Sequence, residues 1–155
     1  MELKDLKREY EKLESKHKLP NFEELNRDFE IDKLDKQSDK TLRAIRKIIM
    51  EKIDNSMRFL EMLINPMNTP RMYLSYINSM THDDRKVIDN IYSSLADLSI
   101  ISLELEIDTT EENEASLIKR VFNKWQELKG GFKQIITNIK MPKNSVSKKE
   151  RNYFG

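Results

Sequence analysis

Apolar residues recur at helical steps along most of this chain. Leu42, Ile45, Ile49, Ile53, Met57, Leu60 and Ile64 succeed one another every three or four residues, and Ile48, Met50, Phe59, Met62 and Leu63 widen the stripe. That period predicts a long helix opening at Ser38 and closing at Asn65-Pro66, since the residue before a proline avoids helical geometry. A second stripe, Ile88, Ile91, Leu95, Leu98, Ser102 and Leu105, has Val87, Tyr92 and Ile101 beside it. It predicts a helix over 82–107, capped by Thr81, with Asp83 and Asp84 in the first turn, where the helix dipole favours negative charge. The run Leu103-Glu104-Leu105-Glu106-Ile107 alternates apolar and acidic residues and also fits a strand. A lone strand has no partner, so the last turn of the helix is expected there.

A third stripe, Ile118, Val121, Phe122, Trp125, Leu128, Phe132, Ile135, Ile136 and Ile139, predicts a helix over 110–140. Thr109 or Thr110 caps it, Glu111, Glu112 and Glu114 lie at its positive end, and Met141-Pro142 ends it. Gly130-Gly131 interrupts the stripe, and two glycines cost about 2 kcal/mol of helix propensity against alanine. The helix either kinks or breaks there; the surviving period favours a kink.

Shorter segments complete the picture. Leu3, Leu6, Tyr10 and Leu13 form a narrow seam among charged residues and predict a helix from Glu2 to Lys16, which Leu19-Pro20 ends. Asn21 is a good cap for a short helix bearing Phe22, Leu25 and Phe29, and a less regular stretch to Gln37 then holds Ile31 and Leu34. Thr69-Pro70 restarts a helix with proline at its first position, and Met72, Tyr73, Tyr76, Ile77 and Met80 give it a soft face. The expected fold is all-α: an antiparallel bundle of three long helices over 38–65, 82–107 and 110–140, with the N-terminal and connecting helices packed on it. Residues 1–142 are expected to form one domain, with 1–18 as a peripheral helix, and 143–155 a flexible basic tail.

Composition supports long helices and narrows the chemistry. Three glycines and four prolines in 155 residues leave few turns, and the 35% of charged residues suit wide solvated helix faces. The absence of cysteine excludes disulfides, thiolate zinc sites and cysteine nucleophiles. His17 and His82 are the two histidines, and neither has a second ligand at helical spacing. The Glu-x-x-His of carboxylate-bridged metal bundles does not occur, nor do a Gly-x-Ser-x-Gly elbow or the glycine-rich phosphate loops. With the inward positions read as apolar, no enzyme, metal or cofactor is expected. The longest apolar runs fall well short of the ~20 residues that cross a bilayer, and a charged start lacks the apolar core of a signal peptide, so a cytoplasmic location and no membrane partner are expected.

A net charge of +1 gives no global attraction to nucleic acid. Locally, Lys140, Lys143, Lys148, Lys149 and Arg151 make the C-terminus basic, which either keeps that end soluble or adds phosphate contacts. Glu104, Glu106, Asp108, Glu111, Glu112 and Glu114 form an acidic run without a basic residue among them, most of it serving the helix start at Thr110. Tyr153 and Phe154 either fold back on the bundle or form a linear docking motif. The seam Leu3, Leu6, Tyr10 and Leu13 has coiled-coil spacing over two heptads, too few for a stable isolated coiled coil; it docks on its own bundle or on a partner.

The stretch Leu19-Pro20-Asn21-Phe22-Glu23-Glu24-Leu25-Asn26, the segment Leu42-Arg43-Ala44-Ile45-Arg46-Lys47 and Arg58-Phe59-Leu60-Glu61 resemble small helical proteins of archaeal genomes that remain uncharacterised. That resemblance implies a cytoplasmic helical protein and no site residues. A capped helical pair ending near Asn90 is similar to the helical domain of the GINS replication subunits. The functional expectation is a non-enzymatic protein–protein interaction module or subunit of a larger assembly, with Leu3, Leu6, Tyr10, Leu13, Tyr153 and Phe154 as contacts. The alternative is a nucleic-acid-associated protein, in replication or ribonucleoprotein machinery, using Lys140, Lys143, Lys148, Lys149 and Arg151.

Overall fold

The computed structural model describes residues 3–34 and 40–141. Among the described residues six helices succeed one another: α1 (Leu3–His17), α2 (Phe22–Phe29), α3 (Thr41–Ile64), α4 (Arg71–Ser79), α5 (His82–Ile107) and α6 (Glu111–Lys140). Single 3-10 turns stand at Ile31–Lys33, after α2, and at Pro66–Asn68, between α3 and α4. Among the described residues there is no strand, so the chain is all-α. The alternating run at Leu103–Ile107 is helical: it puts Leu105 inward and Leu103 and Ile107 outward.

α3, α5 and α6 pack on one another. Their side-chain contacts give the directions. Arg46, Asp54 and Glu61 of α3 meet Ser102, Ser99 and Tyr92 of α5 in reverse order, so this pair is antiparallel. Arg46 and Phe59 meet Glu114 and Phe132 of α6 in the same order, so α3 and α6 run parallel. Ile45, Ile53, Leu60, Leu95 and Ile118 lie fully inside, where each such side chain contributes about 1.5–3 kcal/mol relative to an exposed one.

Local chemistry sets three of the helix starts. Asn21 Oδ1 accepts the N–H groups of Glu23 and Glu24, Thr81 and Asp84 form a reciprocal capping box, and Thr110 Oγ1 accepts from the Asn113 N–H. Three expectations need correction. α3 starts at Thr41 behind an extended Lys40 that caps nothing with its side chain; Ser38 lies outside the described residues. α1 runs on to His17 and ends at Lys18, whose left-handed backbone (φ 54°) lets the Leu19 N–H reach the Glu14 carbonyl at 3.2 Å. Pro70 precedes α4 rather than opening it, and the Thr69 hydroxyl donates to the Met62 carbonyl, tying the turn back to α3.

α6 passes through Gly130-Gly131 without a break. A Cβ at Gly131 would lie 3.1 Å from Ile91 Cδ1, so this glycine permits the close approach of α5 and α6. Gly130 faces open space. Gly130→Ala should therefore raise stability by about 1 kcal/mol, the helix-propensity difference, while Gly131→Ala should gain less; urea denaturation compares the two.

α1 and α2 pack on each other and on the bundle. The Tyr10 ring meets Phe22 edge-on at 5.5 Å and its hydroxyl donates to the Pro20 carbonyl at 2.7 Å. α2 is seated on α6 through Phe29, whose ring lies 5.9 Å from Trp125, and through Asp28. Asp28 Oδ2 accepts from Gln126 Nε2 at 2.6 Å and from Lys129 Nζ at 3.3 Å, and Lys52 of α3 donates to its carbonyl. Burial alone would raise the Asp28 carboxyl, but the Gln126 amide and Lys129 ammonium outweigh it and hold the group below its ordinary range. A depressed folded-state pKa adds stability that is complete above the unfolded carboxylate pKa and is lost as pH falls through the lower, folded value. Asp28→Asn should consequently show a shallower fall in urea midpoint than the parent as the pH is lowered through and below the ordinary carboxylate range.

Candidate interaction face

The residues expected to bind a partner are divided by the fold. Leu6 and Tyr10 are buried in the chain's own core, Leu13 is partly buried against it, and Leu3 is 55% exposed. Leu6 and Tyr10 are thereby spent on packing α1 against the rest of the chain, and Phe22 of the next segment meets Tyr10 edge-on. Most of the seam is docked on its own bundle. Lys140 is exposed at the last turn of α6; Lys143, Lys148, Lys149, Arg151, Tyr153 and Phe154 lie outside the described residues.

The inward faces are not apolar throughout, which corrects the sequence expectation. Arg46, Ser102 and Glu114 are buried where α3, α5 and α6 meet. Arg46 donates from Nε to Glu114 Oε2 at 2.5 Å, from Nη1 to Ser102 Oγ at 2.8 Å and from Nη2 to Glu106 Oε1 at 2.6 Å. The second Glu114 oxygen accepts from the Thr109 hydroxyl at 2.8 Å, and the second Glu106 oxygen from Arg43 Nη2 at 3.0 Å. Glu106 is held below the ordinary carboxylate range by its hydrogen bonds to Arg46 and Arg43. One guanidinium thus gathers three helices, each of its nitrogens donating to a group of this chain.

A cavity of about 250 Å³ lies beside this cluster, with Glu9, Thr41, Arg43, Thr109 and Glu114 on its walls. Thr41 donates to Glu9 across it, and the wall charges are of both signs. Near it Glu111 bridges back to α1, 2.6 Å from Lys16 Nζ and 2.7 Å from His17 Nε2. No group of three or more His, Asp or Glu side chains suited to a metal ion exists among the described residues.

The outer side of α5 carries the feature that sequence reading passed over. Ile100, Leu103 and Ile107 are 57%, 66% and 89% exposed. At 100° per residue they fall within about 60° of one another on the axis, facing away from the side that buries Ile91, Leu95, Leu98 and Leu105. α5 is therefore apolar on two opposite sides over its C-terminal half, which an ordinary surface helix is not. The spacing of three then four residues was the available signal.

Beside the stripe, between α3 and α5, runs an open groove of about 360 Å³ whose walls include Met50, Asp54, Arg58 and Leu103. On the stripe's other side Asp97, Glu104 and Asp108 form an exposed acidic row. None of these three makes an ion pair among the described residues. No helix among those residues is long and apolar enough to cross a membrane. No protein-family model, curated protein or solved structure matches the chain.

Proposed function

We propose that this protein is a non-enzymatic interaction module, a subunit or adaptor of a larger cytoplasmic assembly, and that the outer face of α5 is where it is held. The observation that carries this reading is the exposed stripe Ile100, Leu103 and Ile107, set opposite the core on a rigid helix. Burying these side chains against a partner would contribute about 25 cal/mol for every Å² of apolar area removed from water. The commitment of Arg46, Glu106 and Glu114 to one another supports a structural use for the ionisable groups at the bundle's interior. Leu3 is retained as a subsidiary contact, since it alone of the N-terminal seam is well exposed.

The test is co-purification from the native host with the full chain and with Leu103→Asp. A partner held by the parent and lost by the variant, with unchanged helical circular dichroism, is the expected result. Retention of every partner by Leu103→Asp would remove the α5 face from consideration.

A second reading, nucleic-acid association through Lys140, Lys143, Lys148, Lys149 and Arg151, is favoured by the exposure of Lys133 and Lys140 on the last turns of α6. It predicts RNA or DNA binding that weakens steeply with salt and falls when these residues are neutralised. No mobility shift at low salt would dispose of it.

A further inference from the structure

We propose that the end of the bundle where α3 and α6 finish rests on an anionic lipid surface, with its cations on the headgroups and its exposed methionines in the apolar layer beneath. This goes beyond the interaction reading above and is independent of it, since the stripe on α5 lies at the other end, where α3 begins. Contact of this kind is peripheral and needs no helix long enough to cross a bilayer, so it departs from the sequence expectation of no membrane partner.

Charge comes first. No Asp or Glu occurs over 62–82 or over 128–141, in a chain with 27 of them. The fold brings these two stretches together. Phe59 lies 6.0 Å from Tyr73 of α4 and 6.2 Å from Phe132 of α6, and α4 packs on α6. The result is an acid-free region holding Arg71, Lys129, Lys133 and Lys140. Lys129 is bonded to Asp28. Arg71, Lys133 and Lys140 are exposed, and none of the three makes an ion pair among the described residues. Of the carboxylates that border the region, Glu61 accepts from the Tyr92 hydroxyl and Asp84 closes the α5 capping box. Asp83 and Asp89 remain exposed, with Arg85 and Lys86 between them in sequence.

Apolar exposure coincides with the missing acids. Met67, Met72 and Met141 are 87%, 71% and 70% exposed, and Ile64 and Ile136 are exposed as well. On α6, Lys133, Ile136 and Lys140 fall within about 60° of one another at 100° per residue, so cation and apolar side chain share one side. Met67 stands on the turn after α3 and Met141 follows the last turn of α6, so both project from helix ends. A fluid interface accepts side chains that project singly, whereas a partner helix docks in a groove. Nucleic acid would use the cations and leave the methionines in water. A second copy set end to end would bring cations against cations. Anionic lipid satisfies both features, because headgroup charge draws the end in and the apolar side chains enter the boundary below.

Vesicle co-sedimentation of the full chain tests this, using phosphatidylcholine alone and phosphatidylcholine with about 30% phosphatidylserine. The parent should bind the anionic vesicles at least about tenfold more tightly, and Lys133→Glu with Lys140→Glu should remove most of that preference. Met67→Ser with Met72→Ser leaves the charge unchanged and should weaken binding by about tenfold while its salt dependence persists. Helical circular dichroism should be unchanged in both variants, since all four side chains are exposed.

Equal binding to the two vesicle types, or none to either, would overturn the proposal. So would a serine pair that binds like the parent, because adsorption by Lys143, Lys148, Lys149 and Arg151 alone needs no methionine. Duplex DNA held at low salt in preference to anionic vesicles would assign the end to nucleic acid. A dimer in sedimentation velocity that the serine pair abolishes would assign it to a second copy. Either result overturns the lipid surface and leaves the Leu103→Asp co-purification to decide the α5 face.

Discussion

Arg46→Ala should lower the unfolding free energy by about 3–5 kcal/mol, because it leaves the buried Glu114 carboxylate without its counter-charge and with the Thr109 hydroxyl as its hydrogen-bond donor. The loss is larger than that for a surface ion pair such as Lys124–Glu127, whose removal should cost under about 1 kcal/mol. The cost comes from stranding a charge and not from the intrinsic worth of the pair, so replacing both members has a different outcome. Arg46→Met combined with Glu114→Leu should recover most of the stability lost by either single change. Urea denaturation of the two single variants and the pair closes the cycle. A loss below about 1 kcal/mol for Arg46→Ala would show that the Glu114 carboxylate is not sealed from water as its 3% exposure implies.

The second large effect is expected at Phe29. Its ring lies between α2 and α6 against Trp125, with the Lys52 ammonium 5.6 Å from its centroid and 5.3 Å from that of Trp125. Phe29→Ala removes a 2%-exposed aromatic whose contacts join the two helices and should cost about 3–5 kcal/mol. Trp125 is the chain's single tryptophan, so its emission reports on this one junction. The variant should shift that emission to longer wavelength, as water reaches the indole, and lower the urea midpoint. An unshifted spectrum with a lowered midpoint would mean that the cavity closes without opening the junction.

Helices α3, α5 and α6 could be read in sequence because each keeps one apolar period over many turns, and the caps Asn21, Thr81 and Thr110 because capping is settled within three residues. What escaped was non-local or broke the binary pattern. Arg46 and Glu114 are 68 positions apart, and nothing in either neighbourhood names the other. Each nonetheless occupies an inward position: Arg46 lies four residues after Leu42 and three before Ile49, and Glu114 four before Ile118. A charge in register with an apolar stripe was the available clue, and at Glu114 it was masked by a competing role in the first turn of α6.

The α5 face was obscured differently. Ile101 and Leu105 face the bundle, and Ile100, Leu103 and Ile107 stand among them in sequence, so the two apolar sides blur into one rich segment until the helix is wound. At the N-terminus Leu6 and Tyr10 form a seam that reads the same whether its cover comes from a partner or from the chain's own Phe22, and only the folded chain supplies the cover.

The two ends of the described fold also bear on how it assembles during synthesis. Lys16 and His17 bond to Glu111, and Lys119 donates to the His17 carbonyl from 102 positions further along the chain. Such contacts close very large loops, which slows folding relative to a bundle built of neighbouring hairpins. A ribosome has finished α1 long before it makes the residues that anchor it. α1 and α2, whose Tyr10 and Phe22 meet as soon as both are made, accordingly gain their anchor on the bundle only once α6 has followed.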